Sequence, residues 1–316
     1  MHGSPRRPGR TLALSIAASG LVCGSSGAAG PTPTPPASEI VAAGAQLQRL
    51  ASGMQFIEGP IWIPASGSLV FSDINANEMK RWSPAAGLLT FRKPSNKANG
   101  NALDRMGRLV TCEHGARRVS LTQADGTVVM LVERYQGKRF NSPNDVVVKS
   151  DGTIWFTDPD WGIEGRAPEV AGKYVYRYDP TSAILTVVAA DFVEPNGLCF
   201  SPDETKLYIG ESIDTIHNVR VFDVGASGTL ANGRLFGTID KGVPDGLRCD
   251  EQGRLFAAAR DGVQVFDTNG TLLTRILVPE TVTNLCFGGA DYKTLYMTAT
   301  TSLYSIQLAV RGADRR

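Results

Sequence analysis

NDVVVKSDGTIWFTD, residues 144–158, is the stretch on which the fold turns. A polar residue leads into the apolar run Val146–Val148, an Asp151-Gly152 turn follows, and a second apolar run ends on Thr157 and Asp158. An Asp-Gly pair between two short strand-like runs is a hairpin signal, because the tight turn needs positive φ angles. The phrase occurs five more times: EGPIWIPASGSLVFSD from Glu58, NGNALDRMGRLVTCE from Asn99, NGLCFSPDETKLYIGE from Asn196, DGLRCDEQGRLFAAA from Asp245 and TNLCFGGADYKTLYMT from Thr283. The starts lie about 40 to 50 residues apart, the period of a four-stranded propeller blade.

Further alternating runs fill the gaps, among them Tyr174–Tyr178, Val219–Phe222 and Val263–Phe266, and no long helical periodicity interrupts them. The expected fold is all-β: a six-bladed β-propeller with four antiparallel strands per blade, spanning residues 45–310. A pair of β-sandwiches, or a seven-bladed propeller using residues 38–57 differently, are the alternatives. Because each blade buries its faces only against its neighbours, the repeat argues against two separate domains.

The rest of the chain reads simply. Lys plus Arg number 32 against 31 Asp plus Glu, so no concentrated basic field points to a nucleic-acid partner. Arg6, Arg7 and Arg10, then the apolar run Leu12–Val22 and the small residues Gly27-Ala28-Ala29, have the form of a cleaved secretion signal over 1–29. The apolar run is about half of what a bilayer span requires. An exported protein, periplasmic or secreted, with no membrane partner after cleavage is expected. Residues 30–44 read as a linker stiffened by PTPTPP (Pro31–Pro36), and 311–316 as a tail. Cys112, Cys199, Cys249 and Cys286 sit inside apolar runs as buried small hydrophobes, with Cys199 and Cys249 near equivalent points of neighbouring repeats, where pairing is open.

The first residue of each phrase carries the chemistry. In a propeller the innermost strands line an axial channel, so their entrances form a ring: Glu58, Asn99, Asn144, Asn196, Asp245 and Thr283, with Asn284 beside it. Asx residues often cap turns, and for one Asn-Gly that would suffice. Acidic or amide residues at five ring positions instead suit a hard divalent cation, which takes six to eight oxygen ligands. The only histidines are His2, His114 and His217, so no nitrogen–sulfur cluster favours zinc.

These residues resemble the senescence-marker/gluconolactonase/luciferin-regenerating family of calcium-dependent propeller hydrolases. GKRFNSPNDVVVKSDGTIWFTDPDWG (137–162) carries most of the likeness, with EGPIW at Glu58, PNGLCFSPD at Pro195 and PDGLRCD at Pro244. It extends over roughly residues 45–308, and CEHGARRV (112–119) is similar to bacterial gluconolactonases. The resemblance implies a metal held by Glu58, Asn144, Asn196 and Asp245, and a substrate contact from Asn99. Lys97 stands where several relatives have arginine, and Trp161 at the expected pocket mouth where they often have tyrosine. Both are carried as substrate-binding residues. Glu113 and His114 end the second strand of their blade, where a side chain either reaches the pocket or stays a solvated strand end. Asp73, Asp158 and Glu211 recur at that point in other blades, which favours a structural role.

The implied function is metal-dependent hydrolysis of a small sugar lactone. One divalent cation, calcium first and magnesium, manganese or zinc as alternatives, polarises the carbonyl, and Asp245 serves as general base. Direct attack by Asp245 is the other mechanism. A related esterase or phosphotriesterase-like hydrolase, and a non-catalytic sugar-binding propeller, are the competing functions.

Overall fold

The structure, a computed structural model, describes residues 39–313. The expected signal, the linker up to residue 38 and the last three residues lie outside that range. Among the described residues, six four-stranded antiparallel sheets form the blades, five of them meanders whose neighbouring strands are consecutive in sequence, with a two-stranded ribbon, Arg134–Tyr135 and Lys138–Arg139, beside them. Blade one is Ile57–Ile63, Ser68–Asp73, Glu78–Ser83 and Gly87–Arg92. The other inner strands are Ala98–Leu103, Val146–Val148, Pro195–Phe200, Leu247–Cys249 and Val282–Gly288. The six-bladed expectation therefore holds.

Blade six closes the ring. Its inner three strands, Val282–Gly288, Thr294–Ala299 and Ser302–Gln307, come from the C-terminal part of the chain, and its outermost strand is Gln48–Ser52. Gln48 pairs with Ser305 and Ser52 with Ser302. The closure reaches further into both ends than the sequence suggested. Ile40, expected in the linker, is fully buried between blades five and six, and Val41 bridges to Leu308. At the other end the Ala313 N–H donates to the Cys249 carbonyl at 3.0 Å, so residues 311–313 belong to the domain rather than to a tail.

The core has six parts, one in each seam between blades. Trp155, Val175, Leu198 and Ile209 fill the seam of blades three and four; Ile57, Trp62, Cys286 and Tyr296 fill that of one and six. Trp62 stacks on Tyr296 with centroids 5.5 Å apart, and Trp155 is fully buried, so both tryptophans are packing residues. All four cysteines in the described residues are buried.

Sheet pairing breaks at the ring residues. The ladder slips between Glu58 and Ile61, Ala98 and Asn101, Pro195 and Leu198, and Val282 and Asn284. In blades three and five the regular strand begins two residues after Asn144 and Asp245. A bulge re-aims a side chain out of the alternating pattern. Glycine follows the ring residue wherever neighbouring inner strands nearly touch: at Gly59, with φ of 55°, a Cβ would stand 2.2 Å from the Asn99 carbonyl oxygen.

Candidate active site

The inner-strand entrances converge on one hydrogen-bonded chain of side chains. Asn99 Nδ2 donates to Asn144 Oδ1, and Asn144 Nδ2 donates to Asn196 Oδ1 at 2.7 Å. Asn196 in turn bonds the Asp245 carboxylate. Across the axis Glu58 Oε2 accepts the Asn284 amide at 2.9 Å and the Gly59 N–H at 2.5 Å. Glu58, Asn99, Asn144 and Asn196 are buried, while Asp245 is half-buried. The four residues expected to hold a metal are thus gathered at the head of the channel, with Asn99 beside them.

Two residues that sequence reasoning missed, Asp145 and Arg248, sit further along the strands, and Asn284, expected beside Thr283, joins them. Asp145 and Arg248 are both buried, and Arg248 Nη1 lies 3.8 Å from Asp145 Oδ2, an oxygen that makes no hydrogen bond. Asn284 bonds Asp145 as well as Glu58, spanning the channel between blades three and six. The available signals were Asp145 standing where four of the other phrases have glycine, and Arg248 interrupting an apolar strand.

The electrostatics follow from this crowding. Burial drives the Glu58 carboxyl well above its ordinary range, and the charges of Asp245 and Asp145 add to the effect. Enclosure pushes Asp245 up to about 8, against the hydrogen bond from Asn196. Burial also raises Asp145, which the Arg248 guanidinium opposes. Burial thus favours protonation here; fully ionised, the three acids facing one guanidinium would carry two negative charges in excess, the state a divalent cation would favour. Asn196 Oδ1 accepts one hydrogen bond in this chain of side chains and keeps a second lone pair for a metal. The donor set therefore fits a hard cation. Among the described residues no group of three His, Cys, Asp or Glu side chains has the arrangement of a metal centre, which follows from half of the candidate ligands being asparagines.

The rim is built by blades two and three. His114 Nε2 lies 3.1 Å from Asn99 Nδ2 and 3.3 Å from Asn144 Oδ1, so His114 touches the ring directly. Burial lowers its pKa to about 4, so the ring is neutral near pH 7. The backbone of Gly162 rests on the imidazole: a Cβ there would be 2.4 Å from Nδ1. Gly162 belongs to the turn Trp161–Ile163, which leaves Trp161 exposed at 44% beside it. Lys97 Nζ pairs with Glu164 just after that turn, so its charge is tied to the rim.

Glu113 is the one candidate turned away from the ring. Its carboxylate is wholly buried and accepts Arg92 at 3.2 Å, Asn96 at 3.1 Å, Arg118 at 2.7 Å and Ser120 at 2.6 Å. Its role is to fix the loop entering blade two, and Asp73, Asp158 and Glu211 do the same elsewhere. Asp158 accepts the N–H groups of Asn141 at 2.9 Å and Ser142 at 2.8 Å, just before Asn144. Asp73 holds Gln55 and Phe56 before Glu58, and Glu211 holds Val193 and Glu194 before Asn196. A carboxylate at one repeated position thus locks the approach to three of the ring residues.

Fold and site together define a propeller with an axial carboxylate–carboxamide centre. The chain belongs to the SMP-30/gluconolactonase/LRE-like family, whose pattern matches residues 56–301. It is similar to the gluconolactonase of Zymomonas mobilis, 32% identical over 84% of this chain and 82% of that protein. Regucalcin of Oryctolagus cuniculus is 29% identical over 76% of this chain and 82% of its own. A solved gluconolactonase from Xanthomonas campestris superposes with a TM-score of 0.81 at 36% identity, covering 86% of this chain and 92% of the other.

Proposed function

We propose that the protein hydrolyses a small sugar lactone, an aldonolactone such as gluconolactone, at the axial ring, with a divalent cation held by Glu58, Asn144, Asn196 and Asp245. The observation that carries this reading is the convergence of two carboxylates and two carboxamides on one channel head, where burial penalises charge that a cation would offset. Membership of a family with gluconolactonases among its members supports the substrate class. Calcium is the favoured ion, because all four ligands are oxygens and carboxamides suit it.

A bound cation would supply Lewis acidity toward the lactone carbonyl and its oxyanion. The protein's own residues do the rest. Asp245 is the ring carboxylate that retains exposure, whereas Glu58 is 5% exposed, so Asp245 is placed to take the proton of an attacking water. Asn196 orients Asp245, and Asn144 orients Asn196. Asn99 and His114 present polar atoms toward the ring hydroxyls, and exposed Trp161 offers an apolar face at the mouth. Export through cleavage of residues 1–29 completes the proposal.

The test is Asp245→Asn, assayed by proton release from glucono-δ-lactone. Loss of at least a hundredfold in kcat with an unchanged melting profile is expected, the low end of what a general base contributes. Full turnover in this variant would remove Asp245 from the chemistry.

A further inference from the structure

We propose that Cys199 and Cys249 are an oxidisable pair that closes into a disulfide across the seam of blades four and five. Their sulfurs are 3.8 Å apart, in van der Waals contact. Both are buried in the apolar seam that also holds Tyr208, Leu247 and Phe266. They lie on neighbouring inner strands, Pro195–Phe200 and Leu247–Cys249. Those strands run close: a Cβ at Gly197, two residues before Cys199, would stand 2.1 Å from the Asp245 carbonyl oxygen.

A disulfide needs Cβ atoms about 3.8 Å apart and sulfurs about 2.05 Å apart. The sulfurs therefore have to close by about 2 Å. Cys199 also lines a cavity of about 110 Å³ at the far ends of the inner strands, and Cys286 lines the same cavity, so Cys286 controls for access alone. Cys112 and Cys286 lie in other seams and serve as internal controls.

Closure breaks two S–H bonds and forms one Sγ–Sγ bond. The two electrons and two protons pass to the N=N bond of a diazenedicarboxamide, which becomes a hydrazine, or to a protein disulfide, which leaves as a dithiol. The bridge would tie the strand carrying Asn196 to the strand that follows Asp245. It would thereby fix the spacing of two ring residues and close a loop of some fifty residues, which favours the folded state.

The experiment treats the full-length reduced protein with diamide, and separately refolds it in a mixture of reduced and oxidised glutathione. Alkylation under denaturing conditions and peptide mapping follow. We expect Cys112 and Cys286 to alkylate as before, and Cys199 and Cys249 to be recovered as one cross-linked peptide pair. The melting temperature should rise by roughly 5–10 °C and fall back with dithiothreitol. The rise should be absent in Cys199→Ala, and in Cys249→Ala if the first variant folds poorly. Alkylation of both residues after both treatments, or linkage only between chains or through Cys112 or Cys286, overturns the proposal.

Discussion

Replacing Asp158 with alanine should destabilise the domain although Asp158 is not a ring residue. The carboxylate accepts the Asn141 and Ser142 N–H groups at 2.9 and 2.8 Å, and both residues are buried. Alanine leaves two enclosed donors without partners, at about 1–3 kcal/mol each, or about 2–6 kcal/mol together. At roughly 2–4 °C per kcal/mol for a domain of this size, the melting temperature should fall by about 4–24 °C. Activity should fall further, because the released segment ends two residues before Asn144. Asp125→Ala is the control. Its carboxylate holds an exposed turn through the Thr127 N–H at 2.9 Å, and surface changes of this kind stay within about 0.5 kcal/mol. The assay is a thermal melt followed by circular dichroism, with lactone hydrolysis measured on the same samples. An Asp158→Ala protein melting within about 2 °C of wild type would refute the latch. Titration adds a second readout. Burial raises Asp158 to about 7, so the folded state prefers its protonated form. That contribution is complete below the unfolded value near 4 and is lost as pH rises through about 7. Wild type should accordingly lose stability over this window relative to Asp158→Asn, and equal slopes would exclude the shift.

Other consequences follow from the closure and from the buried ion pair. A chain beginning at Glu39 should fold, whereas one beginning at Gly53 should aggregate. The second lacks the outer strand of blade six and the buried Ile40, and a soluble, monodisperse product would contradict the closure. Arg248→Met leaves the Asp145 charge buried without its partner and should lower stability by about 3–5 kcal/mol in urea unfolding. Adding Asp145→Asn should recover most of that loss, and strictly additive effects would show that the two do not interact.

Much of the blade count was legible because each blade repeats one hairpin with a glycine or aspartate turn. The ring was legible because its residues open the same phrase. Asp73, Asp158 and Glu211 were readable as structural, since a catalytic carboxylate has no reason to recur in three blades. Glu113 misled because it occupies the same position next to His114, and only the arginines from neighbouring strands reveal where its charge goes. The closing strand Gln48–Ser52 belongs to no repeat, its partner lying some 250 residues away in Ser302–Gln307, so periodicity could not assign it. Asp145 and Arg248 were missed because a single polar residue in an apolar strand gains meaning only once six strands face one axis.

The central claim is hydrolysis at a metal-loaded axial ring. Its most direct test follows glucono-δ-lactone hydrolysis as proton release by the purified protein, after chelation and after calcium is restored. The account predicts that activity disappears with the chelator and returns with calcium, and that Glu58→Gln does not recover. Undiminished turnover in the metal-free protein, or none in the calcium-loaded folded protein on any small lactone, would contradict it.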